Sequence, residues 1–303
     1  MSGTKTPGLP GSDQAHPAAV GVVDPTDLAG RLDAGERIVL LDVRWALGDD
    51  HGHEHYLAGH LPGAVFVDLE TELSDKPGPG TGRHPLPTAE HLQAAARRWG
   101  LRAGDEVVVY DNSGGLAAAR AWWLLRWAGH RQVRLLDGGL AAWLEAGLPV
   151  RTGEVTAPAG DVVLSPGQLP ALDADEAARL ARDGVLLDAR AGERYRGETE
   201  PIDPRAGHIP GARSLPAASL LGAAGRVLPP AELNAALAAV GVTQPEPGEN
   251  APAVGVYCGS GVTASFLAAA LATVGVEAVL YPGSWSEWSA DPARPAATGA
   301  QPG

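Results

Sequence analysis

Cysteine occurs once in the 303 residues, at Cys258. A single thiol excludes an intramolecular disulfide and suits a reducing compartment, so a cytoplasmic location is expected. It also leaves Cys258 with no resolving partner in its own chain. Lysine occurs only at Lys5 and Lys76, which argues against a catalytic lysine. Positive charge is in deficit: the formal net charge of −13 speaks against nucleic acid or an anionic membrane as a partner. No apolar run approaches the ~20 residues of a membrane-spanning helix. The opening stretch lacks the apolar core of a signal peptide, so residues 1–18 are expected to be a disordered tail. Residues 293–303 are expected to be unstructured too. His51, His53 and His55, with Asp49 and Asp50, read as a solvated loop, because no second cluster completes a metal site. Neither a metal nor another cofactor is expected.

What is present is enough for two cores. Apolar residues make up 45% of the chain and charged residues 19%, ordinary for a globular protein. The chain also repeats itself. Leu40-Leu-Asp-Val-Arg44 returns as Leu186-Leu-Asp-Ala-Arg190, and Ala58-Gly-His-Leu-Pro-Gly-Ala64 as Ala206-Gly-His-Ile-Pro-Gly-Ala212. Val109-Tyr-Asp111 returns as Val256-Tyr-Cys258, and Asp137 to Trp143 as Pro282 to Trp288, at spacings between 145 and 148 residues. Near-constant spacing implies a duplicated domain. The expected boundaries are 19–150 and 171–292, joined by a Pro/Gly/Ala-rich linker over 151–170. Short apolar runs such as Ile38 to Asp42, Glu106 to Tyr110 and Val133 to Leu136 alternate with helical patterns. The fold class is therefore α/β, with two tandem domains, each a mostly parallel sheet flanked by helices on both faces.

The duplication works as an internal control. Features found in both halves build the fold, whereas features of one half are candidates for chemistry. His60, His208, Asp42 and Asp188 fall in the first group. Cys258 falls in the second, because its counterpart is Asp111. It sits between an apolar strand ending at Tyr257 and a helical pattern starting near Val262, in the loop Cys258-Gly-Ser-Gly-Val-Thr-Ala264. A free thiol ionises near ~8.5, and two units of lowering need about 2.7 kcal/mol of preference for the thiolate. Loop N–H groups and a helix N-terminus are the means, and Gly259 and Gly261 let the backbone close round the sulfur.

This loop resembles the active-site loop of the two-domain sulfurtransferases, the rhodanese and 3-mercaptopyruvate sulfurtransferase family. The resemblance extends to the repeated segments and implies the rhodanese fold over about Val20 to Asp291. It implies that the C-terminal half is catalytic, with Cys258 carrying sulfur as a persulfide cradled by Gly259, Gly261, Val262 and Thr263. Substrate-binding arginines lie after the second Asp-x-Arg segment in the 3-mercaptopyruvate members. Arg190 matches that motif and Arg196 matches more loosely, with Arg194 and Arg205 on the same loop. A Ser, a His and an acid assist sulfur abstraction in those members, and Ser260, His84 and Glu70 fall in the corresponding places. Glu70 stands where the family pattern has Asp. Pro282, where the first half has Asp137, is expected to matter little.

An arsenate reductase or cysteine phosphatase would need an arginine six residues after the cysteine, and position 264 is alanine. A non-catalytic rhodanese-like binding scaffold is the remote alternative, and loss of Cys258 would have favoured it. The neutral Gly259-Ser260 pair favours 3-mercaptopyruvate over thiosulfate, which remains the alternative donor. The expected partners are a small anionic donor and a small thiol or thioredoxin-like acceptor, cyanide serving in the test tube.

Overall fold

The computed structural model describes residues 21–243 and 252–303, so the expected N-terminal tail lies outside the described residues. In the first half, strands β1 (Val22–Val23), β2 (Ile38–Asp42), β3 (Val65–Phe66), β4 (Glu106–Tyr110) and β5 (Val133–Leu136) form one parallel sheet in the order β1-β5-β4-β2-β3. The second half repeats the order with β6 (Val185–Asp188), β7 (Arg213–Ser214), β8 (Val254–Tyr257) and β9 (Ala278–Leu280), arranged β7-β6-β8-β9. The counterpart of β1 has shrunk to a single parallel bridge, Ala171 to Leu280. The central strands β2, β4, β6 and β8 are almost wholly buried, which explains why they read as unbroken apolar runs.

Sequence signals for the helices act locally. Asp24 accepts the amide of Thr26 to cap Pro25–Asp33, and Thr88 accepts that of His91 to cap Ala89–Arg98. Helix Ala119–Trp127 of the first half packs on helix Thr263–Thr273 of the second. Trp122, Trp123, Phe266, Leu267 and Ala270 belong to one apolar cluster that draws residues from both halves. The site-bearing faces of the two units are thus held against each other by a shared core.

Two expectations need correction. Residues 293–303 are not unstructured: Ala297 pairs with His208, the Gly211 amide donates to the Pro302 carbonyl at 2.6 Å, and Trp288 Nε1 donates to the Pro295 carbonyl at 2.7 Å. The stretch 151–170 is likewise not a free linker. Arg151 pairs with His60, and the amides of Gly160, Val162, Ser165 and Gln168 donate to carbonyls of the first half. In both halves a strap follows the last helix and satisfies the Gly-His-x-Pro-Gly turn. His60 Nε2 meets the Gly153 carbonyl at 3.0 Å, and His208 Nε2 meets that of Pro302 at 3.2 Å. Composition suggested loose chain; the turn's unpaired backbone groups recruit it.

Among the described residues no helix is long and apolar enough to cross a membrane.

Candidate active site

Cys258 follows β8 directly, where the chain leaves the sheet and turns into helix Thr263–Thr273. It is 3% exposed and lines a cavity of about 440 Å³ together with Gly259, Ser260, Val262 and Thr263. The Gly261 amide donates to Sγ at 3.2 Å. Gly261 has φ +79°, and a Cβ there would stand 2.5 Å from the Pro282 carbonyl, so only glycine turns this corner. Behind the sulfur, the Cys258 amide donates to Ser284 Oγ at 3.2 Å. Ser284 holds φ 55°, strained for a residue with a side chain, at the position that Gly139 fills in the first half with φ 56°.

The first half shows what this loop does as a backbone device. There Asp111 accepts the amides of Ser113, Gly115, Ala117 and Ala118 at 2.7 to 2.9 Å. The strand–loop–helix junction is thus an anion cradle, filled by a fixed carboxylate in one copy and carrying a thiol in the other.

The first half also reaches across the interface. The loop after β3 carries Gly82, whose Cβ would stand 2.5 Å from the Gly283 carbonyl, so only glycine allows this approach. That contact delivers His84 to the loop of Cys258. His84 Nδ1 lies 2.7 Å from Ser260 Oγ, His84 Nε2 lies 3.0 Å from Glu70 Oε1, and Trp45 Nε1 donates to the same carboxylate oxygen at 2.7 Å. Burial lowers the His84 imidazole below its ordinary pKa, against the opposing pull of Glu70. Burial works against the charge on Glu70, but the hydrogen bonds from His84 and Trp45 outweigh it and hold the carboxyl low. A neutral imidazole donating Nε2–H to Glu70 leaves Nδ1 free to accept the Ser260 hydroxyl proton. The structure therefore brings Glu70, His84 and Ser260 into one chain of contacts, although they come from different domains.

The arginines are arranged differently from expectation. Arg190 is 4% exposed and grips Asp188 through Nε and Nη2, with a further bond to the Gly207 carbonyl at 2.7 Å. Arg44 does the same with Asp42 and the Gly59 carbonyl. Arg190 borders the cavity, yet its Nε and Nη2 are committed to a clamp found in both halves, and its Nη1 faces Glu200 at 3.4 Å. Arg196 does not border the cavity at all: its guanidinium pairs with the exposed Glu198. The helix Gly192–Tyr195 ends just before it and turns its side chain outward. Arg205, too, is spent on carbonyls, those of Trp288, Ser289, Asp291 and Arg294.

The guanidiniums that stand over the cysteine loop are Arg194 and Arg83. A Cβ on Gly259 would meet Arg83 Nη2 at 3.1 Å and Arg194 Nη1 at 3.6 Å. Both pair with Asp203, Arg194 also with Glu200. Sequence reasoning missed Arg83. Its counterpart across the interface, Arg226, is taken up by Asp137 and Asp24, and the Val227 amide also donates to Asp137. Pro282 stands where a second such carboxylate would be, and Arg83 pairs with Asp203 at the edge of the cavity.

Fold and site together define a duplicated α/β protein in which one copy carries a thiol in an anion cradle and the other completes its surroundings. Residues 24–146 and 173–291 each match the Rhodanese-like domain family. A Mycobacterium tuberculosis protein, SseB, provisionally named a thiosulfate sulfurtransferase, is 49% identical over 92% of this chain and 97% of its own. A Pseudomonas aeruginosa protein named a probable 3-mercaptopyruvate sulfurtransferase is 48% identical over 90% of this chain and 96% of its own. Among solved structures, that of SseA from Escherichia coli, a 3-mercaptopyruvate sulfurtransferase, matches with TM-score 0.76 and 34% identity, over 88% of this chain and 98% of the other. The chain belongs to the rhodanese family, in its tandem-domain form.

Proposed function

We propose that this sulfurtransferase takes sulfur from 3-mercaptopyruvate onto Cys258 and passes it to an external thiol or cyanide. The observation that carries the choice of donor is the contact chain Glu70–His84–Ser260 beside the sulfur. The Cys258 thiolate attacks the donor sulfur and the donor's C–S bond breaks, its electron pair leaving as the enolate of pyruvate. The donor's S–H proton passes to Ser260 as Ser260 gives its own to His84, and the imidazolium, paired with Glu70, returns it to the enolate carbon. Products are pyruvate and a Cys258 persulfide anion, so charge and protons balance. Arg83 and Arg194 hold the donor carboxylate above Gly259. Cyanide then removes the outer sulfur as thiocyanate and regenerates the thiolate. In the cell a small thiol or a thioredoxin-like dithiol takes that part, because the chain has no second cysteine. A reducing, cytoplasmic setting suits such a lone thiol.

Thiosulfate is the second reading. Two guanidiniums over one loop suit a dianion, and transfer from thiosulfate needs no proton to move from sulfur to carbon. Steady-state comparison of the two donors with cyanide as acceptor tests the choice. A higher kcat/KM for 3-mercaptopyruvate is expected; a higher value for thiosulfate overturns it.

A further inference from the structure

Helix Ala119–Trp127 of the first half carries Arg120, which is fully buried. Among the described residues its guanidinium donates only to main-chain carbonyls: His84 at 3.0 Å, Leu73 and Pro85 at 3.3 Å, and Gly261 at 3.4 Å. Two of these belong to the site itself. His84 is the histidine beside Ser260, and Gly261 is the residue whose amide reaches Cys258 Sγ.

The charge is unusual as well as the position. Cys258 is also faced by His84 backed by Glu70, by Arg83 and Arg194 above Gly259, and by Arg190 and Glu193 at the cavity wall. Those arginines are neutralised by Asp203, Glu200 or Asp188. Arg120 forms no ion pair with a carboxylate among the described residues, and Cys258 lies within its electrostatic reach. Burial pushes its pKa down to about 10, so it stays charged at neutral pH. A buried cation without a fixed counter-charge is costly unless an anion compensates it.

The duplication supplies the comparison. Phe266 follows Arg120 at the 146-residue spacing that also separates Gly115 from Gly261. A Cβ on Gly115 would stand 3.5 Å from the Phe266 ring. So the loop holding the fixed carboxylate of Asp111 faces a phenyl ring, whereas the loop holding the thiol faces a guanidinium.

We propose that Arg120 is a positioning residue that ties His84 to the cysteine loop across the domain interface and favours the anionic forms of Cys258, thiolate and persulfide. The proposal rests on Cys258 being the nucleophile. The test is the rate of Cys258 alkylation by iodoacetamide against pH, in wild type, Arg120→Gln and Arg120→Lys. Removing the charge should slow alkylation about tenfold at neutral pH and leave it unchanged at alkaline pH, where the thiol is fully ionised in both. Arg120→Lys should recover most of the loss. Superimposable profiles for wild type and Arg120→Gln overturn the proposal, since a purely structural strap would not move the titration. Should Arg120→Gln not fold, the stability of wild type and Cys258→Ser is compared across pH. Wild type should gain on the serine variant as pH rises, and parallel curves overturn the proposal. Failure of the nucleophile reading looks different, because Cys258→Ser would then still transfer sulfur.

Discussion

Ser260→Ala removes one oxygen from the site and separates the two donors. Ser260 is 5% exposed, and its Oγ lies 2.7 Å from His84 Nδ1. General acid–base assistance is worth about 10²–10⁴ in rate, roughly 3–5 kcal/mol of barrier. Water can enter the vacated space and carry part of the proton traffic, so the low end applies, about a hundredfold in kcat for 3-mercaptopyruvate. Thiosulfate transfer breaks an S–S bond with no proton shift and should change only about threefold, the effect of a weak neutral hydrogen bond. Stability should fall by about 1–3 kcal/mol, because the buried His84 Nδ1 loses its partner. Pyruvate release measures one donor and thiocyanate formation the other, on the same preparation. Equal losses with both donors, or no loss with 3-mercaptopyruvate, would refute the role given to Glu70, His84 and Ser260.

Arg83→Ala should raise KM for anionic donors about tenfold, the low end for a charge-assisted bond at a partly exposed side chain, whereas Arg196→Ala should leave steady-state kinetics unchanged. Arg190→Ala leaves Asp188 buried without its partner and should cost about 3–5 kcal/mol in denaturant unfolding; a normal stability with a selective donor defect would return Arg190 to substrate binding. His84 titrates below its ordinary value because of burial, so the folded state binds fewer protons there than the unfolded one. Its contribution to stability is therefore complete above about pH 6.5 and lost as pH falls below it. Turnover of 3-mercaptopyruvate should decline on that same acid limb, and Ser260→Ala should flatten it.

Much of the architecture was legible because the chain states it twice. Paired Leu-Leu-Asp-x-Arg strands, paired Gly-His-x-Pro-Gly turns and one unmatched cysteine define the layers and the asymmetric half without any long-range contact. The same comparison carried a warning about Arg190, since Arg44 occupies the equivalent place; an arginine present in both halves belongs with the fold. Arg196 was misplaced because the short helix Gly192–Tyr195 sets which arginine faces inward, and four residues give no periodicity to read. Arg83 and Arg120 lay beyond reach for another reason. Each reaches the opposite domain, so its contacts depend on the interface between the halves rather than on neighbours in sequence. The C-terminal strap was hidden by composition, because its bonds are made by backbone carbonyls that any residue provides.

In the proposed reaction, sulfur rests covalently on Cys258 between two half-reactions. Intact-protein and peptide mass spectrometry after incubation with 3-mercaptopyruvate alone tests it most directly. A gain of one sulfur atom is expected, confined to the peptide containing Cys258, absent in Cys258→Ser and removed by cyanide with release of thiocyanate. An unmodified Cys258 peptide from enzyme that has already released stoichiometric pyruvate, or added sulfur that persists in Cys258→Ser, would contradict it.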